Sequence, residues 1–271
     1  MQRLSIVMAT YNASPVVKNT ISSIASQDAF DPAEIEVLLM DGASSDDTVD
    51  LARASGIFRK VISRHDAGVY DAMNSGIEHA TGRWIQFLNA GDTFVNETSL
   101  RQILAALERA EEEDAMWMVA GARNLAAGGA TIRNMPHNWL RHSLGLQPHC
   151  HQATFFRRSA LIGIGGHSLD FGTAGDFDVI LRLGFATGNP AETHDVVINY
   201  EGGGMSDVAP AETAKRLAAV RSARFHLVGA LASLNTGVAW VLGGMNVARI
   251  KIGRVRRKMR SWRRNGGRAS R

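Results

Sequence analysis

The sequence predicts an α/β fold: a mostly parallel central sheet flanked by helices, followed by a C-terminal helical extension. Three observations lead there. Short apolar runs alternate with helix-period segments through the first hundred residues, the connections between them are short, and polar or acidic residues follow each apolar run. A chain of 271 residues, 45% hydrophobic and 21% charged, has the composition of a folded domain with room for an appendage.

Residues 5–9 (SIVMA) read as a buried strand. After the polar TYNASP, Ser14 is placed to cap a helix with Pro15 at its first position. Val17, Ile21, Ile24 and Ala25 give that helix one apolar face. A second strand, 35–40, ends at Asp41-Gly42, and Ser44 or Ser45 caps a helix containing Val49, Leu51 and Ala52. A short third strand lies at 61–63, and a helix over 70–80 is stopped by Thr81-Gly82. A fourth strand, 84–88, runs into Asn89-Ala90-Gly91-Asp92. Parallel sheets of this kind bind ligands beyond the carboxyl ends of their strands. Those ends carry Thr10-Tyr11-Asn12, Asp41, Arg64-His65-Asp66 and Asn89 through Asp92, so polar and acidic groups collect at one edge.

The second half is less regular. A helix is expected over 98–113, strands over 116–120, 153–156 and 196–200, and a helix over 176–186, with an irregular Gly-rich stretch from 121 to about 148. A polar loop, 201–210, leads to the C-terminal helical region.

Several side chains at the edge invite chemistry, each with a plainer structural use. Asp92 can ligate a hard divalent cation bridging a diphosphate, or satisfy turn amides. Asp41 can accept hydrogen bonds from a base or ribose, or serve as a turn carboxylate. Asp176, in AGDFDVILRL, sits at a helix start as a capping residue or a catalytic one. His149-Cys150-His151 alternate as zinc ligands would on a strand, but no second ligand pair follows; His151 and Gln152 are instead suited to a sugar hydroxyl. Neither a Gly-x-Gly-x-x-Gly fingerprint after the first strand nor a Walker-type phosphate loop is present, which argues against a dehydrogenase or P-loop enzyme.

The ordered segments SIVMATYN, LLMDGASSDDT, HDAGVYDAMNSGIEHATGRWIQFLNAGD, HQATFFRRSAL and AGDFDVILRL resemble the family 2 glycosyltransferases, inverting enzymes of the GT-A fold, over about residues 3–205. The resemblance implies a catalytic domain at 1–208, with a nucleotide-binding half at 1–97 and an acceptor half at 98–208, and a separate region at 209–271. It implies that Tyr11 and Asp41, with Thr10 and Asn12 beside them, hold the nucleotide base, usually uracil. Asp66, Asp71 and Asn74 fall in the segment expected near the donor's ribose or sugar. Asp92 corresponds to the cation-binding Asp, with Mn2+ or Mg2+ as cofactor, and Asp176 to the general base. The sequence departs from the commoner pattern in three places: Asn89-Ala90-Gly91-Asp92 replaces Asp-x-Asp-Asp, Gly175 replaces a Glu before Asp176, and Met73 replaces an Arg before Asn74. These versions look like a subgroup associated with surface-polysaccharide assembly. No Gln-x-x-Arg-Trp follows Asp176, which argues against a processive polymerase. The expected partners are a nucleotide-diphosphate sugar, a UDP-sugar in the first instance, and a lipid-linked or saccharide acceptor. A sugar nucleotidyltransferase would need a Gly-rich loop that TYNASPVVKN lacks. A non-catalytic nucleotide-sugar-binding scaffold stands as the other reading, because the cation motif keeps one carboxylate.

Charge is segregated along the chain. Residues 249–271 hold 11 Lys and Arg and no acid, leaving 19 basic against 26 acidic residues elsewhere. Before this tail, residues 227–248 carry no charge but include Ser233, Asn235, Thr236 and four glycines, a poor membrane span. An interfacial segment with the basic tail on anionic lipid is one reading, and a packed helix with a free tail is the other. Nucleic acid is not the expected partner, since no stacking surface or recognition motif accompanies the tail. The start shows no secretory leader and the single Cys150 suits a reducing compartment. The expected location is the cytoplasm, peripheral to the inner face of the plasma membrane.

Overall fold

The computed structural model describes residues 2–126, 130–132, 137–145, 149–202, 210–227, 231 and 233–238. The chain divides into two units, 1–203 and 204–271.

In the first unit, β1 (Leu4–Thr10), β2 (Ile35–Asp41), β3 (Phe58–Ser63) and β4 (Trp84–Phe87) run parallel in the order β3-β2-β1-β4. On the far side of β4, β8 (Thr154–Arg157) pairs antiparallel and carries β6 (Trp117–Asn124) on its other edge. β9 (Ala191–Tyr200) then pairs parallel with β6, and the two-residue β5 (Thr93–Phe94) closes the row antiparallel to β9. β7 (Ala130–Ile132) pairs with β6 as a short flap.

Helices cover both faces of the central strands, which explains why β1, β2 and β4 are nearly continuous apolar runs, while the edge strand β3 is half-exposed. Ile6 and Met8 of β1 face one cluster, with α1 (Ser14–Ala25) and α4 (Ser99–Glu112) supplying Val17, Ile21, Ile24, Leu100 and Ile103. Val7 faces the other, with α3 (Val69–His79), α6 (Arg158–Gly163) and α7 (Gly175–Thr187) supplying Met73, Ile77, Leu161, Val179 and Leu183. α3 lies so close to the sheet that a Cβ at Gly76 would sit 2.3 Å from Val7 Cγ1.

The N-terminal ends of α1 and α2 (Thr48–Ser55) share a cap that differs from the expected serines. Asp46 accepts from the Ser14 amide at 2.9 Å and from the Thr48 amide at 3.0 Å. One carboxylate therefore fastens two helix starts to each other; it also accepts from the Thr48 hydroxyl, and that bond first, then the amides, holds its pKa down.

The stretch expected to be irregular contains the end of β6, the flap β7 and a short helix, α5 (Trp139–Ser143). α5 is seated by Trp139, whose ring occupies the space a side chain at Gly184 would need. β9 begins at Ala191, five residues before the apolar run that announced it; Glu192 and His194 face outward while Thr193 is buried.

In the second unit, α8 spans Pro210–Arg224, and residues 233–238 are helical. Asn235 ties back to α8, donating to the Ala218 carbonyl at 2.8 Å and accepting from Arg221 Nε at 2.7 Å. Among the described residues no helix is long and apolar enough to cross a membrane. Most of 227–248 and all of the basic tail lie outside the described residues.

Candidate active site

The carboxyl ends of β1, β2 and β4 lie side by side, with Thr10, Asp41 and the loop of Asn89 through Asp92 at those ends. Asp41, at the end of β2, is 2% exposed and boxed in by its own chain. It accepts from Thr10 Oγ1 at 3.0 Å, from the Ser44 hydroxyl and amide at 2.5 and 2.9 Å, and from Ser63 Oγ at 2.7 Å. Burial alone would raise its pKa, but these bonds outweigh it and hold the carboxyl below its ordinary range. Thr10 is thereby committed to Asp41. Asn12, in the left-handed region at φ 49°, accepts from the Ser45 amide at 2.9 Å, while its own amide donates to Ser44 Oγ at 2.8 Å. Two strand-end loops are stitched together in this way, leaving Tyr11 69% exposed at the lip.

Beside this box a pocket is lined by Met40, Asp41, Ile62, Arg64, Asp66, Asp71, Ala72 and Ser75. Asp66 accepts from the Gly68 amide at 2.9 Å and Asp71 from the Ala67 amide at 3.0 Å, shaping the turn that starts α3. Asn74 is engaged elsewhere: its amide spans the backbone of His167, donating to the carbonyl at 2.9 Å and accepting the N–H at 2.8 Å.

Asp92 closes the loop after β4. It is 4% exposed, accepting from Gln152 Nε2 at 2.8 Å and from the Glu201 amide at 2.9 Å. Burial dominates and raises its pKa despite these bonds. The turn that supplies Gln152, a 3-10 helix at His151–Ala153, also supplies His151, whose Nδ1 lies 3.1 Å from Asp176 Oδ2. Asp176 stands in the first turn of α7, and its side chain is 28% exposed. Burial would raise its pKa, but the charge and hydrogen bond of His151, with His167 and the Tyr70 hydroxyl, hold it below the usual carboxylate range. Burial likewise works against a charge on His151; Asp176 first, then Asp92, lift its pKa above the ordinary value.

Sequence reasoning missed three members of this cluster. Tyr70 stacks on His167 with ring centroids 5.2 Å apart and hydrogen-bonds Asp176; burial, then the Asp176 charge, keep its hydroxyl protonated. His167 places Nε2 3.8 Å from Asp176 Oδ1, and burial pushes its ring down to about 4. Asn89 brings Nδ2 to 3.1 Å from His151 Nε2. Tyr70 and Asn89 lay inside motifs already singled out; His167, in GGHSLDFG, carried no spacing signal at all. The alternating His149, Cys150 and His151 turn to separate partners, His137, Gln152 and Asp176.

The donor set can be tested against a divalent cation. Asp92 offers hard carboxylate oxygens, each with a spare lone pair. Among the described residues it has no Lys or Arg within ion-pair distance, and the adjacent Asn89 Oδ1 is buried without a partner. That is an environment a hard cation would compensate. Among the described residues no three side chains of ligand type form a closed cage, so such an ion would draw remaining ligands from diphosphate and water.

A family model described as "Glycosyl transferase family 2" matches residues 5–163. The chain belongs to this family. A PGL/p-HBAD biosynthesis glycosyltransferase of Mycobacterium tuberculosis is 34% identical over 225 residues, covering 79% of this chain and 83% of the relative. The amylovoran biosynthesis glycosyltransferase AmsB of Erwinia amylovora is 29% identical over 139 residues, 49% of this chain and 45% of that one. Among solved structures, Staphylococcus aureus TarS with UDP-GlcNAc superposes with a TM-score of 0.65 at 14% identity, covering 90% of this chain and 73% of that one. The Pyrobaculum calidifontis mannosyltransferase PcManGT, with GDP-Man and Mn2+, gives a TM-score of 0.66 at 16% identity over 92% of this chain and 75% of its own. The family 2 protein thus has the GT-A architecture, and it is a glycosyltransferase.

Proposed function

We propose that this glycosyltransferase moves a sugar from a nucleotide-diphosphate donor, a UDP-sugar, onto an acceptor hydroxyl in polysaccharide or glycolipid assembly, with inversion at the anomeric carbon. The observation that carries the reading is Asp176: an ionised, partly exposed carboxylate at a helix start, linked through one turn to the loop that presents Asp92. The relatives' names, PGL/p-HBAD and amylovoran biosynthesis, and the nucleotide sugars in the neighbouring structures support it.

Asp176 takes the proton of the acceptor hydroxyl as that oxygen bonds to the anomeric carbon and the bond to the diphosphate oxygen breaks. Tyr70 and His151 hold the carboxylate in place, and keeping it ionised makes it ready to receive the proton. Tyr11, exposed at the lip, offers a face for the base, and the pocket bordered by Arg64, Asp66 and Asp71 receives the ribose and sugar. The box of Thr10, Asn12, Asp41, Ser44 and Ser63 keeps that wall rigid. Asp92 would hold Mn2+ or Mg2+, which supplies charge neutralisation for the departing nucleotide diphosphate. The region beyond residue 208, with the basic tail 249–271, anchors the enzyme to anionic lipid at the inner membrane face, where a lipid-linked or saccharide acceptor lies.

A panel of nucleotide sugars, assayed with Mn2+ for released nucleotide diphosphate, tests the activity, and Asp176→Asn tests the base. The expected result is turnover with one donor and its loss in the variant, with UDP affinity by calorimetry retained. Binding without turnover on every donor would sink the enzymatic reading.

A further inference from the structure

We propose that His151 is the positioning residue for Asp176, with Asn89 fixing which ring nitrogen carries the proton. This rests on the reading of Asp176 as the base. The imidazole lies between the two residues: Nδ1 is 3.1 Å from Asp176 Oδ2 and Nε2 is 3.1 Å from Asn89 Nδ2. In the neutral ring the Asn89 NH2 donates to Nε2, which leaves Nδ1–H as the donor to Asp176; a protonated ring keeps the same Nδ1–H donor.

That bond ties Oδ2 of the carboxylate, and the Tyr70 hydroxyl adds a second hold on Asp176. Asp176 Oδ1 has His167 Nε2 at 3.8 Å, beyond hydrogen-bond range. Oδ2 is held by a ring that is itself held, which fixes the direction in which the carboxylate faces an incoming hydroxyl. A base oriented by a second group, which is oriented by a third, is the arrangement by which catalytic carboxylates and imidazoles are kept in line.

The imidazole is not what holds its own turn in place. The turn has separate anchors: Gln86 Nε2 donates to the Gln152 carbonyl at 2.8 Å, the Ala153 amide bonds the Cys150 carbonyl at 3.0 Å, and Gln152 reaches Asp92. The ring sits 21% exposed, at the surface of the cleft rather than in the core. A side chain aimed from an independently fastened turn at a functional carboxylate serves that carboxylate.

Three substitutions separate positioning from bulk structure. The Asn side chain puts its Nδ2 where Nδ1 lies, so His151→Asn keeps the bond to Asp176; Gln places its amide nearer the Nε2 position, and Ala supplies nothing. With the donor that gives turnover, at saturation, kcat should fall on the order of 100-fold in His151→Ala and His151→Gln, the scale of a misplaced reactive group. His151→Asn should recover to within roughly tenfold of the parent, because it restores the orienting bond. Donor KM and the calorimetric affinity for UDP with Mn2+ should stay within about twofold in all three, as expected for a group acting only on the transition state. Equal loss in the Asn and Ala variants, unchanged kcat in the Ala variant, or a matching loss of UDP affinity each overturns the proposal. Asp176→Asn runs beside them: if it keeps turnover, the assignment of the base fails instead.

Discussion

Asn74 holds His167 from both sides, its Nδ2 on the carbonyl at 2.9 Å and its Oδ1 on the amide at 2.8 Å, across 93 residues of sequence. The side chain that aligned with a donor-binding position thus pins the loop that places a histidine beside Asp176. Asn74→Ala should cost about 1–3 kcal/mol, since two backbone groups lose their partner. kcat should drop while UDP affinity by calorimetry holds. A selective loss of UDP affinity would return Asn74 to the donor.

Asp92 is a buried carboxylate whose pKa is raised. A folded-state value above the unfolded one means the native form binds more protons in that window, so stability falls as pH rises through it and stays reduced at neutral pH. Asp92→Asn should therefore raise Tm at neutral pH, by about 2–4 °C for each kcal/mol regained, while removing Mn2+-dependent transfer. Differential scanning calorimetry together with the donor assay checks both; a lowered Tm would refute the electrostatic account.

Acid should loosen the region around α5. His137 Nδ1 lies 2.8 Å from His149 Nε2, and burial first, then neighbouring histidines, push the rings down to about 4 and about 3. Both are neutral in the fold and titrate near 6.5 when unfolded. Their contribution is therefore complete above pH 6.5 and is lost as pH falls toward 4. Tm measured from pH 7.5 to 4.5, on the order of the window set by these values, should fall more steeply in the parent than in His149→Gln. Parallel curves would place the acid sensitivity elsewhere.

Gly175 explains one departure from the commoner family pattern. A Cβ there would meet Tyr70 ring atoms at 2.7 Å, so glycine is what allows the Tyr70 hydroxyl to reach Asp176. Gly175→Ala should cost about 1–3 kcal/mol through overpacking and lower kcat by displacing Tyr70. Gly175→Ala combined with Tyr70→Phe should be no slower than Tyr70→Phe alone, and a further loss would mean the glycine serves another purpose.

β1, β2 and β4 were legible because they are buried and stop at polar residues, and that rule puts Asp41 and the loop carrying Asp92 at their ends; β3, half-exposed at the sheet edge, was legible only over 61–63. Partners were not legible. Nothing in the sequence around His167 distinguishes it from a surface histidine, and its clamp by Asn74 exists only once α3 and the loop before α7 have docked. β5 is too short to carry a periodic signal and is defined by its pairing with Asn199 and Ile198. The first half of β9 alternates polar with small residues, so its strand character comes from β6 rather than from its own apolarity.

His151 and Gln152 are consecutive, and one reaches Asp176 while the other reaches Asp92. With Asp176 as the base and Asp92 on the diphosphate side, as proposed above, a single peptide unit gauges the distance between attacking and departing oxygens. Inserting one residue at that point would put the two ends of the reaction out of step without disturbing either half of the sheet, and natural variation there should come as paired substitution rather than as changes in length.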